Sequence, residues 1–183
     1  MHNRPKLIVV SGAPGSGKTT LAKKLTEYIQ FIYVDSDAVL QNFWLNNTEN
    51  KEYEREKVGI PRLFEMVANL GSEYGMSIII DAAPSDEISR QKLGEVFEIA
   101  HVHCRASNAI DRFYQREISD KGEEPDWLGP HMQELKEKLE TNSKPPELNV
   151  PVLEVNTDSD YDPSIDVIIS QLNIIAGYRY WNK

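Results

Sequence analysis

Gly12-Ala13-Pro14-Gly15-Ser16-Gly17-Lys18-Thr19 is a complete G-x-x-x-x-G-K-[ST] phosphate loop. The pattern dictates local structure as well as chemistry, because it needs a strand before it and a helix after it. Both are in place: Leu7-Ile8-Val9-Val10 is an apolar run, and Thr19 to Gln30 has helical character, with Leu21, Leu25 and Ile29 forming one apolar stripe. The glycines allow the chain to wrap with its N–H groups pointing inward, and the helix adds its positive N-terminal end. Lys18 supplies a mobile positive charge for β and γ phosphates, the Thr19 hydroxyl suits Mg²⁺, and Thr20 completes the segment facing the nucleotide. A nucleoside triphosphate, with ATP and Mg²⁺ as the expected cofactors, is the ligand this loop implies.

With 183 residues the chain has the length of one domain with a single core. A net charge of −9 argues against broad binding to nucleic acid or acidic membranes, which favours a basic face. The lone cysteine, Cys104, excludes an internal disulfide and reads as a small core residue. No apolar run approaches the roughly 20 residues that span a bilayer, so the expectation is a cytoplasmic protein, monomer or homodimer, without a membrane partner.

Five β-rich runs alternate with helical stretches: Leu7–Ser11, Phe31–Val34, Ser77–Ile80, Ile99–Cys104 and Val152–Val155. That alternation predicts an α/β fold, a parallel sheet covered on both faces. Gly75 is placed to end a helix, and Asp162-Pro163 reads as the cap and first residue of the last one. Two connections are long. Residues 39–75 suggest a helix pair around a polar loop, Asn46 to Asn50, and a segment that recognises the acceptor; Phe43, Trp44, Arg55 and Arg62 fall there without a decisive pattern. Residues 107–141, with Gly122, Pro125, Gly129 and Pro130, suggest a lid. Insertions at this edge of an α/β sheet shape or cover its ligand site.

Acidic residues close two strands. Asp35-Ser36-Asp37 follows the second and Asp81 the third, all on the ligand edge. Asp37 is the candidate base for an acceptor hydroxyl, with Asp35 or Asp81 on the metal side; helix capping is the competing use of each. Arg112 and Arg116 are four residues apart and share a helix face, where one could lie against adenine and the other offset charge on the transferring phosphoryl. Surface pairing with Asp111 and Glu117 is the alternative. His101 and His103 alternate along the fourth strand and read as partnered structural histidines. His131 and the closing Tyr178-Arg179-Tyr180-Trp181 are read as surface and packing residues.

Taken together these residues resemble the small P-loop kinases of the nucleoside-monophosphate-kinase-like group: shikimate, gluconate and adenylylsulfate kinases, chloramphenicol phosphotransferase, and the kinase domains of polynucleotide kinases. The resemblance covers nearly the whole chain and implies a three-layer α/β/α P-loop NTPase fold with sheet order 2-3-1-4-5 and a helical lid. It implies that Asp37 contacts the acceptor hydroxyl, as the second acid of the D-x-D does in the shikimate and gluconate members. Arg112 and Arg116 then correspond to the lid pair, and Asn156-Thr157-Asp158 lines adenine, with Thr157 in the nucleotide site.

Departures narrow the substrate. Asp81-Ala82-Ala83-Pro84 replaces the glycine triplet of the shikimate enzymes. Leu40 stands where polynucleotide and adenylylsulfate kinases carry an arginine for an acceptor phosphate. The guanine signature N-K-x-D is absent, since Asn50-Lys51 continues as Glu52-Tyr53. The first reading is transfer of the γ-phosphate of Mg-ATP to a hydroxyl of a small molecule, with Lys18, Asp37 and Arg116 as the catalytic set. A polynucleotide 5′-hydroxyl kinase and a nucleotide-binding switch with slow hydrolysis are the alternatives.

Overall fold

The computed structural model describes residues 4–43, 55–121, 137 and 144–176. Five strands form one parallel sheet: β1 (Lys6–Gly12), β2 (Ile32–Val34), β3 (Ile78–Ile80), β4 (Glu98–Arg105) and β5 (Val152–Asn156). Their order is β2-β3-β1-β4-β5, as the resemblance implied. Register is set along the centre, where Leu7, Ile8 and Val9 face Ile78, Ile79 and Ile80 on one side and Ile99, Ala100 and His101 on the other.

Strands buried on both faces are continuously apolar, and alternation along each sorts residues between two cores. Ile8, Val10, Ile79 and Val102 meet α1 (Lys18–Thr26) and α6 (Ile165–Ala176) on one face. Leu7, Val9, Ile78 and Ile80 meet α2 (Ser36–Phe43), α3 (Ile60–Tyr74) and α4 (Glu87–Val96) on the other. The result is three layers, helix on sheet on helix. Each fully buried leucine or isoleucine contributes about 1.5–3 kcal/mol. A further helix, α5 (Ala109–Lys121), leaves the end of β4 above the phosphate loop.

Local signals held at most boundaries. The α3 helix, entered through a π-helical turn at Arg55–Gly59, ends at Gly75 with a φ of 64°. Asp86 caps α4 by accepting from the Ser89 N–H. The expected start of the last helix is corrected. Asp162 exchanges backbone hydrogen bonds with Asn156 at 2.8 and 3.0 Å, and α6 begins only at Ile165. A backbone bridge across the turn after β5 took precedence over the capping signal.

Among the described residues, no helix is long and apolar enough to cross a membrane. Trp44, the loop 46–50, most of the lid beyond Lys121, His131 and the tail 178–181 lie outside the described residues.

Candidate functional site

The turn between β1 and α1 carries Gly12, Gly15 and Gly17 at φ values of 144°, 80° and 81°. These are left-handed or open conformations that a side chain resists, and they curl the loop around a hollow. Helix α1 starts at Lys18, so its first unpaired N–H groups face that hollow. At the back of the loop the Thr157 hydroxyl donates to the Ser16 carbonyl at 2.7 Å, and its N–H donates to the Arg105 carbonyl at 2.9 Å. Thr157 therefore joins the loop to the segment after β5; its hydroxyl works on the protein.

Thr19 and Asp81 come together. The Thr19 hydroxyl donates to Asp81 Oδ2 at 2.6 Å, although 62 positions separate them in sequence. Asp81 is buried and takes two further donors, the Tyr33 hydroxyl at 2.9 Å on Oδ2 and the Ser36 N–H at 2.9 Å on Oδ1. Burial, with the charges of Asp81 and Asp35 beside it, pushes the Tyr33 phenol above its ordinary value, so it stays a donor. Thr19 and Asp81 are hard oxygen donors, the chemistry Mg²⁺ requires. Among the described residues no group of three or more His, Cys, Asp or Glu could hold a metal. With phosphates and water as the remaining ligands, the pair has the donor chemistry to hold such a cation.

Asp35 flanks the same phenol but is engaged elsewhere. Its Oδ1 caps α2 through the Ala38 N–H at 3.0 Å, and its Oδ2 lies 3.5 Å from the Lys23 ammonium. Asp37 sits in the first turn of α2, half-buried, next to Ser36. Ser36 lines a cleft of about 540 Å³ that opens from Gly12, Pro14 and Lys18. Ala82, Ala83 and Ser85 form one wall, and Lys144, Pro145, Pro146 and Glu147 the other. A second cleft of about 300 Å³ lies on the other side of the loop, between Gly17, Thr20, Arg112, Thr157 and Tyr161.

The two arginines of α5 have different surroundings. Arg112 donates to the carbonyls of Thr157 and Asp158 at 2.8 and 2.6 Å, which holds its guanidinium at the edge of the second cleft. Arg116 is exposed and lies over its own neighbour, 5.4 Å from the Phe113 ring centre. Asp158, which accepts from the Ser107 N–H and hydroxyl, is held below the usual carboxylate range by those bonds. Arg62 is on the outer side of α3, away from both clefts. Sequence reasoning missed Tyr33 and the Lys144–Glu147 wall; the first falls inside a β-rich run and the second carries no motif.

Under the loop, Ser11 Oγ lies 2.7 Å from His101 Nε2 and 2.8 Å from His103 Nδ1, all three residues buried. A hydroxyl has one proton, so Ser11 donates to at most one of the two imidazoles and accepts from at least one. These are the partnered structural histidines expected from the strand pattern. The Cys104 thiol, on the opposite face, is pushed up to about 12 by burial, with the Lys18 charge opposing, and is an inert core group.

Burial, then the His103 charge, lowers His101 to about 4, and its Nδ1 has no hydrogen-bond partner. Unfolded, the same imidazole titrates near 6.5. The unfolded chain therefore binds the extra proton first. Stability is full above pH ~6.5 and falls as pH drops through about 4, by about 3 kcal/mol in total. Denaturant midpoints measured across that window should show the slope, and His101→Gln should flatten it by that amount; equal slopes would contradict the assignment.

Comparison with known proteins agrees with the geometry. Residues 7–124 match the AAA domain family. A candidate kinase from Chloroflexus aurantiacus superposes with a TM-score of 0.68 at 20% identity, covering 93% of this chain and 98% of that one. A gluconokinase from Sinorhizobium meliloti superposes at 0.58 with 16% identity, covering 96% of each. In sequence, human 6-phosphofructo-2-kinase/fructose-2,6-bisphosphatase 3 is 25% identical over 150 residues, which is 74% of this chain. The chain spans 27% of that relative's length. At these identities the superpositions establish the fold.

Proposed function

The chain belongs to the AAA domain family as a small P-loop kinase-like domain, and from that premise we propose that it is an ATP-dependent phosphotransferase acting on a hydroxyl of a small molecule. The observation that carries this reading is the Thr19–Asp81 contact at 2.6 Å, beside Lys18, on a phosphate loop that opens into the larger of the two clefts. A nucleotide switch needs the loop and the metal pair but has no use for an acceptor cavity. A cavity of about 540 Å³ is in the range of small-molecule sites.

In this reading the loop amides from Gly12 to Thr19 and the Lys18 ammonium hold the β and γ phosphates. Thr19 and Asp81 would hold Mg²⁺, which would supply positive charge against the transferring phosphoryl. Arg112 borders the base, and Thr20 and Thr157 border the same cleft. Asp37 accepts the proton of the acceptor hydroxyl, which leaves the oxygen free to attack phosphorus. Arg116, on α5, is assigned to supply charge to the phosphoryl.

Leu40 bears on the acceptor. It is fully buried in the core beneath α2 and offers no cation for an acceptor phosphate. Together with the net charge of −9, this favours a small hydroxyl compound over a nucleic-acid end. The sugar and sugar-phosphate kinases among the structural and sequence neighbours lie in the same class.

The test is a screen of metabolites, nucleosides and antibiotics for γ-phosphate transfer, with products read by mass. Asp37→Asn should then lower acceptor-dependent turnover about 10²-fold while ATP affinity, measured by calorimetry, stays the same. Unchanged turnover would remove Asp37 from the mechanism. Failure of every compound to draw phosphate from ATP would favour the switch.

A further inference from the structure

Asp81 is held by donors from three separate elements: Thr19 on α1, Tyr33 on β2 and Ser36 at the start of α2. Two of the three end on the same oxygen. With its proton committed to Oδ2, the Thr19 hydroxyl has only lone pairs to offer to the side facing the phosphate loop. The direction of those lone pairs depends on where Oδ2 stands. The Ser36 N–H fixes the other oxygen, and the Tyr33 hydroxyl is the second donor on Oδ2, beside that of Thr19.

Tyr33 is itself well anchored. Strand pairing sets Tyr33 against Ile79, two residues before Asp81, and the ring packs on the core shared with α1. The Lys23 ammonium lies 5.8 Å from the ring centre and also pairs with Asp35. Ring and hydroxyl thus have separable roles, one in packing and one on the carboxylate.

We propose that Tyr33 is a positioning residue for the divalent cation of the nucleotide: its hydroxyl clamps Asp81 Oδ2 beside Thr19. The proposal rests on the reading of Thr19 and Asp81 as the protein's donors to that cation. Outer contacts of this kind typically change metal affinity by about 10-fold or more when removed. Tyr33→Phe deletes the hydroxyl and keeps the ring.

The experiment titrates Mn²⁺ into protein with saturating ATP and follows free Mn²⁺ by electron paramagnetic resonance. Wild type, Tyr33→Phe and Asp81→Asn are compared, each first shown to be folded by circular dichroism. Nucleotide binding without metal is measured separately by calorimetry. The expected result is about 10-fold weaker Mn²⁺ binding in Tyr33→Phe, a larger loss in Asp81→Asn, and metal-free nucleotide affinity unchanged in Tyr33→Phe. Wild-type Mn²⁺ affinity in Tyr33→Phe, with Asp81→Asn impaired, overturns the role of Tyr33 and leaves that of Asp81 standing. A parallel fall in metal-free nucleotide binding also overturns it, since that marks a general packing defect. If Asp81→Asn binds Mn²⁺ as wild type does, the reading of Asp81 fails and the proposal fails with it.

Discussion

Lys18→Ala is expected to lower phosphoryl transfer by about 10³-fold, the effect of removing a preorganised charge from a transition state. Charge grows on the oxygens of the transferring group as its bond to the leaving phosphate stretches, and an ammonium held there gains more in the transition state than in the ground state. The loss should therefore fall mainly on kcat, with a smaller change in nucleotide affinity. Lys18 opens α1 and its side chain is only partly buried, so the fold should stand. Steady-state kinetics, calorimetry and a thermal melt on one sample separate these effects. Turnover close to wild type would remove Lys18 from the chemistry.

Gly15→Ala should damage both stability and nucleotide binding. A Cβ at this position would lie 1.9 Å from the Ala109 carbonyl oxygen and 3.0 Å from the Phe113 nitrogen, and the residue keeps a φ of 80°. Both neighbours are backbone atoms of α5, so no side chain can rotate away. Either the phosphate loop or the helix above it must shift. Left-handed strain and overlap together are expected to cost about 3 kcal/mol. Denaturant unfolding should report that loss, and calorimetry with Mg-ATP should find binding weakened at least about 10-fold by the displaced amides. A variant with wild-type midpoint and affinity would show that α5 is not seated on the loop.

Much of this arrangement was legible in the sequence because its signals are local. Continuous apolar runs such as Ile78-Ile79-Ile80 marked strands buried on both faces, and the phosphate loop showed where the ligand edge lies. Alternation put His101 and His103 on one face, where Ser11 joins them. What escaped depends on backbone pairings that residue type does not announce and on contacts between distant segments. Asp162-Pro163 has the residues of a helix start, yet the backbone of Asp162 pairs with Asn156. The expected helix over 19–30 stops at Thr26, with Ile29 still buried beyond it. Spacing placed Arg112 and Arg116 together, but only Arg112 meets carbonyls brought in from the segment after β5. Nothing near Tyr33 in the chain points to a carboxylate 48 positions away.

The hydroxyl of Thr157 staples the end of the last strand to the bend around the phosphates, and Arg112 ties the same segment to the helix above. In the proposed reading, that coupling would keep the seats for a base and for a polyphosphate tail at one fixed spacing. Under the proposed function such a site would act as a ruler, set to the distance from ring to terminal phosphorus, and a ligand one phosphate too short would leave the far end of the scale empty.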